Sequence, residues 1–242
     1  TVQGLCELAG FPIAGCGTLA SALCMDKDRA HKLVSLTGIR VPVSELILPD
    51  YQPEQVEELA AKIGYPLFVK PVKAGSSYGI TKLDTRVKLH DAVKTAFQFD
   101  DSVLLEEAIP GFEVGCAVLG NDELIIGVPD EIELLDGFFD YTEKYNLITS
   151  KIHVPARISK EKASEIREAG KKIYRALGCR GFARVDLFLK PDGELVFNEV
   201  NTIPGFTSHS RYPGMMKAVG ISFETLINKI LSLAENDGGT RI

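Results

Sequence analysis

Positive charge is scarce in this chain. Its 27 lysines and arginines face 33 aspartates and glutamates, a formal net charge of -6 with histidine neutral, so there is no electrostatic footprint for nucleic acid. An anionic ligand must be held by local cations. Histidine is scarcer still: the four are widely dispersed, which argues against a zinc site. The five cysteines, Cys6, Cys16, Cys24, Cys116 and Cys179, are odd in number and show no CxxC spacing. They sit in apolar contexts and read as reduced core thiols in a reducing, cytoplasmic compartment. No apolar run approaches the roughly 18 residues of a membrane span, and no basic segment of a signal peptide is present. Internal repeats and low-complexity tracts are missing too.

What is present is an ordinary globular composition, 45% hydrophobic and 25% charged over 242 residues, enough for one large core or two smaller ones. The chain opens without Met in "TVQGLCELAGF", which reads as the middle of a helix, so an upstream segment is expected. Asp26 caps a helix stopped by Gly38; Pro53 begins another that Gly64 ends. "YPLFVKP" and "GITKL" read as strands, followed by a helix from about Val87 to Phe99 and the strands "SVLLEE" and "EVGCAVLG". Between Asp130 and Ile152 the pattern fails, and a long functional loop is expected. Ser159 caps a helix to Leu177, and Ser222 caps a last one to about Ala234. "NTIPGFTSHSRYPG" between them reads as a loop. The order predicts an α+β fold with mainly antiparallel strands, in two lobes meeting near "LLEEAIPG".

One hairpin stands out. In "RVDLFLKPDGELVFNEVN", Arg184 to Asn201, two apolar runs flank Asp192-Gly193, a strong turn signal because both residues tolerate positive φ. A two-residue loop pairs Leu189 with Val196, Phe188 with Phe197, Asp186 with Glu199 and Arg184 with Asn201. All four polar groups then share one face. Carboxylates about 5 Å apart repel by roughly 3 kcal/mol at an effective dielectric of about 20. Two things offset that: a salt-bridge network through Arg184, or a divalent cation, since two carboxylates and an amide oxygen suit Mg²⁺ or Mn²⁺. The hairpin alone leaves both open.

Other stretches carry chemistry. "KPVKAGSSYG" places Lys70 at a strand end, then Lys73, Gly75, Ser76, Ser77 and Gly79. That suits either a phosphate-holding loop or a flexible hairpin tip; the Walker A pattern is absent. Glu106 and Glu113 flank a Pro110-Gly111 hinge, where carboxylates could receive adenine or ribose groups, or simply face solvent. "DYTEKY" offers Lys144 and Tyr145 as a lid or as anchors of a surface loop. Ser208-His209-Ser210 lacks a nucleophile-elbow context, so His209 reads as structural.

Together these stretches resemble the D-alanine–D-alanine ligase family of the ATP-grasp superfamily. The resemblance runs over nearly the whole chain: "ALCMDK", "FVKPVKAGSSYG", "LLEE" with "PGFEVG", "FFDYTEKY", "GCRGFARVD" and "FNEVNTIPGFTSHS". It implies an ATP-grasp fold: residues 1-25 as a remnant of an N-terminal substrate domain, 26-109 as a central lobe and 110-242 as a C-terminal lobe. It implies ATP as co-substrate, with Lys27 and Lys70 on its phosphates under a loop at Ser76-Ser77, Glu106 on adenine and Glu113 on ribose. Asp186, Glu199 and Asn201 would hold two Mg²⁺ ions. Arg184 and the Gly205 N–H would stabilise a tetrahedral intermediate. Lys144 and Ser210 would hold the second substrate's carboxylate, with Ser76 and Tyr145 closing the site. The family's partners are small D-amino acids, and a homodimer is expected; neither nucleic acid nor membrane is. A non-catalytic nucleotide-binding module is the alternative of a different class.

Two positions depart from members that make D-alanyl-D-alanine. Asp130-Glu131-Ile132 stands where they tend to read Gly-Glu-Ile, and Phe139 stands where they tend to read Tyr. A carboxylate beside the lid could accept a hydrogen bond from a substrate hydroxyl, which brings the chain nearer the D-alanine–D-serine ligases of vancomycin resistance. In this context the phosphate-type loop, the hinge glutamates and the lid favour the metal for the hairpin. Glu199→Gln is therefore expected to abolish ATP-dependent turnover while far-UV circular dichroism stays native; retained turnover would return the hairpin to the salt-bridge reading.

Overall fold

A computed structural model describes residues 2–134 and 150–238. Three short helices open it: α1 (Val2–Leu8), α2 (Thr18–Met25) and α3 (Lys27–Ser35). Asp26 joins the last two. Its N–H donates to the carbonyls of Ala22 and Leu23, and its carboxylate accepts from the Arg29 N–H at 3.0 Å, the N-cap predicted from the sequence.

A four-stranded antiparallel sheet follows, built from β1 (Ser44–Ile47), β2 (Leu67–Pro71), β3 (Thr81–Leu83) and β4 (Val103–Glu107) in the order β1-β4-β2-β3. Helices α4 (Pro53–Ile63) and α5 (Leu89–Ala96) cover one face, burying Val56, Ala60 and Val93 against Ile47, Val69 and Leu105. The period of two turns Phe68, Lys70 and Glu106 to the opposite face. The helix expected over residues 87–99 keeps only its central turns, preceded by a 3₁₀ turn at Arg86–Lys88.

The second sheet contains β5 (Phe112–Leu119), β6 (Ile125–Ile126), β7 (Asp130–Leu134), β8 (Ser150–His153), β9 (Phe182–Leu189) and β10 (Leu195–Asn201). Its order is β10-β9-β5-β7-β8, with β6 also on β5. Helix α6 (Lys160–Ala176), capped by Ser159, joins α2 and α3 on one face. Helices α7 (Arg211–Lys217) and α8 (Phe223–Gly238) pack on part of the other, against Ala117, Leu119 and Phe182. Alternation along β5 divides the two: Val114, Cys116 and Val118 enter the first core, Ala117 and Leu119 the second. Arg40 ties the sheets at the surface, reaching Glu107 at 2.9 Å and Glu194 at 2.7 Å.

Several expectations need correcting. The stretch from Asp130 to Ile152 is not a loop throughout, because both ends are strands paired antiparallel from Glu131↔His153 to Leu134↔Ser150. The loop after Asn201 gives way to α7 at Arg211. Helix α3 packs against β10 and α6, while its first residue, Lys27, donates through its N–H to the Val72 carbonyl beyond β2.

The hairpin register corrects itself. The Lys190 N–H donates to the Glu194 carbonyl and the Gly193 N–H to the Lys190 carbonyl, so the loop spans 191–193, with Gly193 at φ 87°. Leu189 therefore faces Leu195, one residue off the two-residue-turn count. A bulge between Phe197 and Glu199 absorbs the difference, and Asp186↔Glu199 and Arg184↔Asn201 are opposed as expected.

The first core leaves no room where α6 crosses β5. A Cβ on Gly170 would lie 2.5 Å from Cys116 Sγ. Gly170→Ala gains up to ~1 kcal/mol of helix propensity but overpacks the contact at a cost of about 1–3 kcal/mol. We expect a lower urea midpoint for Gly170→Ala, and partial recovery when Cys116→Ala is added; purely additive losses would contradict the contact.

Candidate active site

Cross-strand pairing lays a row of acidic positions over one face of the second sheet. Asp130 on β7 faces Gly115 on β5, Gly115 faces Asp186 on β9, and Asp186 faces Glu199 on β10. Asp130 is 0% exposed and Asp186 1%, so neither is discharged by water. Glycine at 115 is a steric requirement, because a Cβ there would overlap Asp130 and the guanidinium of Arg211. Arg211, first residue of α7, lies over that gap. Its Nε and Nη2 donate to the two oxygens of Asp130 at 2.7 and 2.8 Å, and its Nη1 donates to Glu113 at 2.7 Å. Beside it, Arg184 chelates Asp186 through Nε at 2.8 Å and Nη2 at 2.7 Å, and Asn201 Nδ2 donates to the same carboxylate at 2.8 Å.

Charges in this row set one another. Burial works to lower the Arg211 guanidinium, yet Asp130 and Asp186 outweigh it and hold the group well above its ordinary value. Arg184 is raised against its own burial by Asp186. Glu113 goes the other way: burial and the neighbouring Asp186 raise its carboxyl despite Arg211.

Two cavities meet over this floor. The larger, about 800 Å³, is lined by Ser76, Arg184, Asp186, Asn201, Gly205 and Ser210, among others. The smaller, about 320 Å³, is lined by Lys70, Ser77, Glu106, Ile109 and Phe188. Lys27, Glu113 and Glu199 line both. Sequence-predicted residues thus converge from both sheets and from α3. Ser76 and Ser77 sit at φ 54° and 60°, left-handed values that cost non-glycine residues energy. Lys27 Nζ donates to the Ala74 carbonyl at 2.9 Å, bringing that loop to the start of α3. Ser210 Oγ accepts from the Thr207 N–H at 3.0 Å and closes the loop that carries Gly205.

In the smaller cavity Lys70 pairs with Glu106 Oε1, and both are buried. Glu106 Oε2 and His31 Nδ1 are buried without partners, 3.9 Å apart. The other ring nitrogen of His31, Nε2, donates to the Asn198 carbonyl at 2.8 Å, which leaves Nδ1 as an acceptor while burial keeps the ring neutral. An orphaned acceptor on a cavity wall suits a ligand N–H.

Three placements differ from expectation. Asp130 lines neither cavity; both its oxygens are spent on Arg211, so it acts on the site through that residue. Arg184 does neutralise its neighbour Asp186, the role the hairpin reading had set aside, although it also lines the larger cavity. Phe139, Lys144 and Tyr145 lie outside the described residues. Arg211 itself was missed: it follows a loop signal with no helix cue, and only the buried Asp130 asks for a counter-charge. Among the described residues no group of three or more His, Cys, Asp or Glu is placed to hold a metal. Two carboxylates and an amide would need further oxygens, such as those of a phosphate. Arg211→Met leaves Asp130 buried and uncompensated, so chemical denaturation is expected to show a loss of about 3–5 kcal/mol; a loss under 1 kcal/mol, as for a surface pair, would refute this account of the pair.

Comparison with known proteins follows this geometry. A family model described as D-ala D-ala ligase C-terminus matches residues 33–232. Vancomycin C-type resistance protein VanC2 of Enterococcus casseliflavus is 46% identical over 238 residues, 98% of this chain and 68% of that protein. The crystal structure of the VanG D-Ala:D-Ser ligase from Enterococcus faecalis superposes with a TM-score of 0.90 at 60% identity, over 97% of this chain and 68% of that one. The D-alanine–D-alanine ligase from Bacillus anthracis, solved with ATP, gives a TM-score of 0.84 at 28% identity, over 99% of this chain and 75% of that one. The match by family model, sequence and structure is consistent throughout, and the chain belongs to the D-alanine–D-alanine ligase family.

Proposed function

We propose that the chain carries out ATP-dependent joining of D-alanine to a second D-amino acid, D-serine favoured, through an acyl phosphate, for peptidoglycan precursors that confer glycopeptide resistance. The observation that supports it is the meeting of two cavities on Lys27, Glu113 and Glu199. ATP fits the smaller one, its adenine amino group toward Glu106 Oε2 and its phosphates toward Lys27 and Lys70. The amino acids fit the larger one. Asp186, Glu199 and Asn201 would hold Mg²⁺, which supplies neutralisation of phosphate charge. The carboxylate of the first D-alanine takes the γ-phosphoryl group and releases ADP. The amine of the second then attacks the acyl carbonyl and expels phosphate. Arg184 and the Gly205 N–H face the oxygen that becomes negative, and positioning with charge stabilisation carries the rate. Enclosure protects the acyl phosphate from water.

The preference for D-serine rests on Arg211. Its guanidinium lines the larger cavity, fixed by Asp130. A hydroxyl can accept from it, whereas the methyl of D-alanine offers no acceptor. With ATP, Mg²⁺, D-alanine and competing D-serine and D-lactate, D-alanyl-D-serine should dominate the products. Asp130→Gly should cut the D-serine over D-alanine ratio about 10-fold or more, the worth of one charged hydrogen bond. An unchanged ratio would sink the specificity claim. Absence of amino-acid-dependent phosphate release would sink the ligase reading, and nucleotide binding without turnover would favour a non-catalytic module.

A further inference from the structure

Cys179, distant in sequence from Cys16 and Cys24, meets both in the first core. Cys24 lies in the last turn of α2 and Cys179 just after α6, with their Sγ atoms 3.7 Å apart, in van der Waals contact. Cys16 Sγ donates to the Arg180 carbonyl at 3.4 Å. The backbones that carry Cys16 and Cys179 approach closely, since a Cβ on Gly181 would lie 2.7 Å from Gly15 Cα. All three thiols are free. All three are buried, but of the three only Cys24 lines the larger cavity and so stands within reach of a small solute. None of the three has a part in the chemistry proposed above. The hydrogen bond from Cys179 lowers the Cys16 thiol and raises Cys179 in turn, so the Cys179 proton has an acceptor beside it.

We propose that Cys24 and Cys179 form a reversible disulfide when the protein meets hydrogen peroxide. Cys24 sulfur attacks one peroxide oxygen; an S–O bond forms, the O–O bond breaks, and the departing hydroxide takes the thiol proton and leaves as water. Cys179 sulfur then attacks the Cys24 sulfenic sulfur. The S–S bond forms, the S–O bond breaks, and hydroxide leaves with the Cys179 proton as a second water. The two thiols lose two electrons and the peroxide gains them. Disulfides formed this way in reducing compartments are transient and regulatory.

Position gives the bond a consequence. Closing the sulfurs from 3.7 Å to about 2 Å draws the last turn of α2 toward the α6–β9 connection. Asp26, the next residue but one, ends α2 and caps α3, whose first residue is Lys27. The pull therefore reaches a cation that lines both cavities. This consequence rests on the nucleotide reading; the bond itself does not.

The test treats the whole chain with hydrogen peroxide, alkylates free thiols and maps linked peptides by mass spectrometry under non-reducing conditions. A Cys24–Cys179 link, loss of two of the five thiols and full reversal by dithiothreitol are expected. Cys24→Ser and Cys24→Ala should each keep Cys179 unlinked with a native circular dichroism spectrum. A Cys16–Cys179 link, irreversible oxidation of Cys24, or thiols that stay unreacted in the folded chain would overturn the proposal. Affinity for a fluorescent ATP analogue should fall about 10-fold on oxidation, within the range that displacements near 1 Å produce. Unchanged affinity with the link formed would overturn the coupling to Lys27. No binding by the reduced protein would instead overturn the nucleotide reading, and leave the mapped link standing.

Discussion

The row of carboxylates across the second sheet is the constraint from which the site follows. Asp130, Asp186 and Glu199 lie in one cross-strand row, with Gly115 of β5 between the first two, and those two have no water to discharge them. Buried charge of one sign must find counter-charge or the fold fails. Position 115 must then be glycine, since any side chain would occupy the space of the Arg211 guanidinium. α7 must begin where it does, because Arg211 is its first residue. Arg184 and Asn201 are drawn onto Asp186 from the next row. Burial first, and then the neighbouring Asp186, raise the Glu113 carboxyl although Arg211 donates to it.

The other sheet supplies the complementary wall. There a lysine and a glutamate are buried as a pair, and one glutamate oxygen is left without a partner. Burying that acceptor costs about 1–3 kcal/mol unless a donor arrives, so the wall binds best what carries an N–H in the plane of an apolar slot. The Ser76-Ser77 turn adds a second cost, two consecutive left-handed residues without glycine. Costs of this kind persist where surrounding contacts over-determine them. Here the Lys27 contact with the Ala74 carbonyl is one such contact.

Much of this was legible in the sequence. The caps at Asp26, Ser159 and Ser222 show as short polar residues before periodic segments, and each accepts the expected N–H. The hairpin pair Asp186–Glu199 was found although the turn was counted one residue short, because the bulge before Glu199 restores the register. A bulge leaves no compositional mark, so agreement there owed as much to cancellation as to insight. β7 was hidden by its own chemistry. Its acids look like a loop until Arg211, Arg157 and His153 are seen to pair with them. Arg211 was illegible for the same reason: its partner lies eighty-one positions away in the chain, and local pattern carries nothing over that distance.

The bulge has a further role. By displacing Asn198 from the ladder it turns that residue's carbonyl toward α3, where the neutral His31 ring donates to it at 2.8 Å. A carbonyl can only accept, so the proton is fixed on Nε2 and the acceptor Nδ1 is fixed toward Glu106. One distortion of β10 thus places Glu199 in the acidic row, anchors the helix that begins with Lys27, and sets the environment of Glu106. Lys27 is tied to both sides: its helix rests on the six-stranded sheet, while its N–H donates to the Val72 carbonyl and its Nζ to the Ala74 carbonyl, just past a strand of the other sheet. Lys70 and Glu106 stand on the four-stranded sheet, so the two cavities that share Lys27 are walled from both.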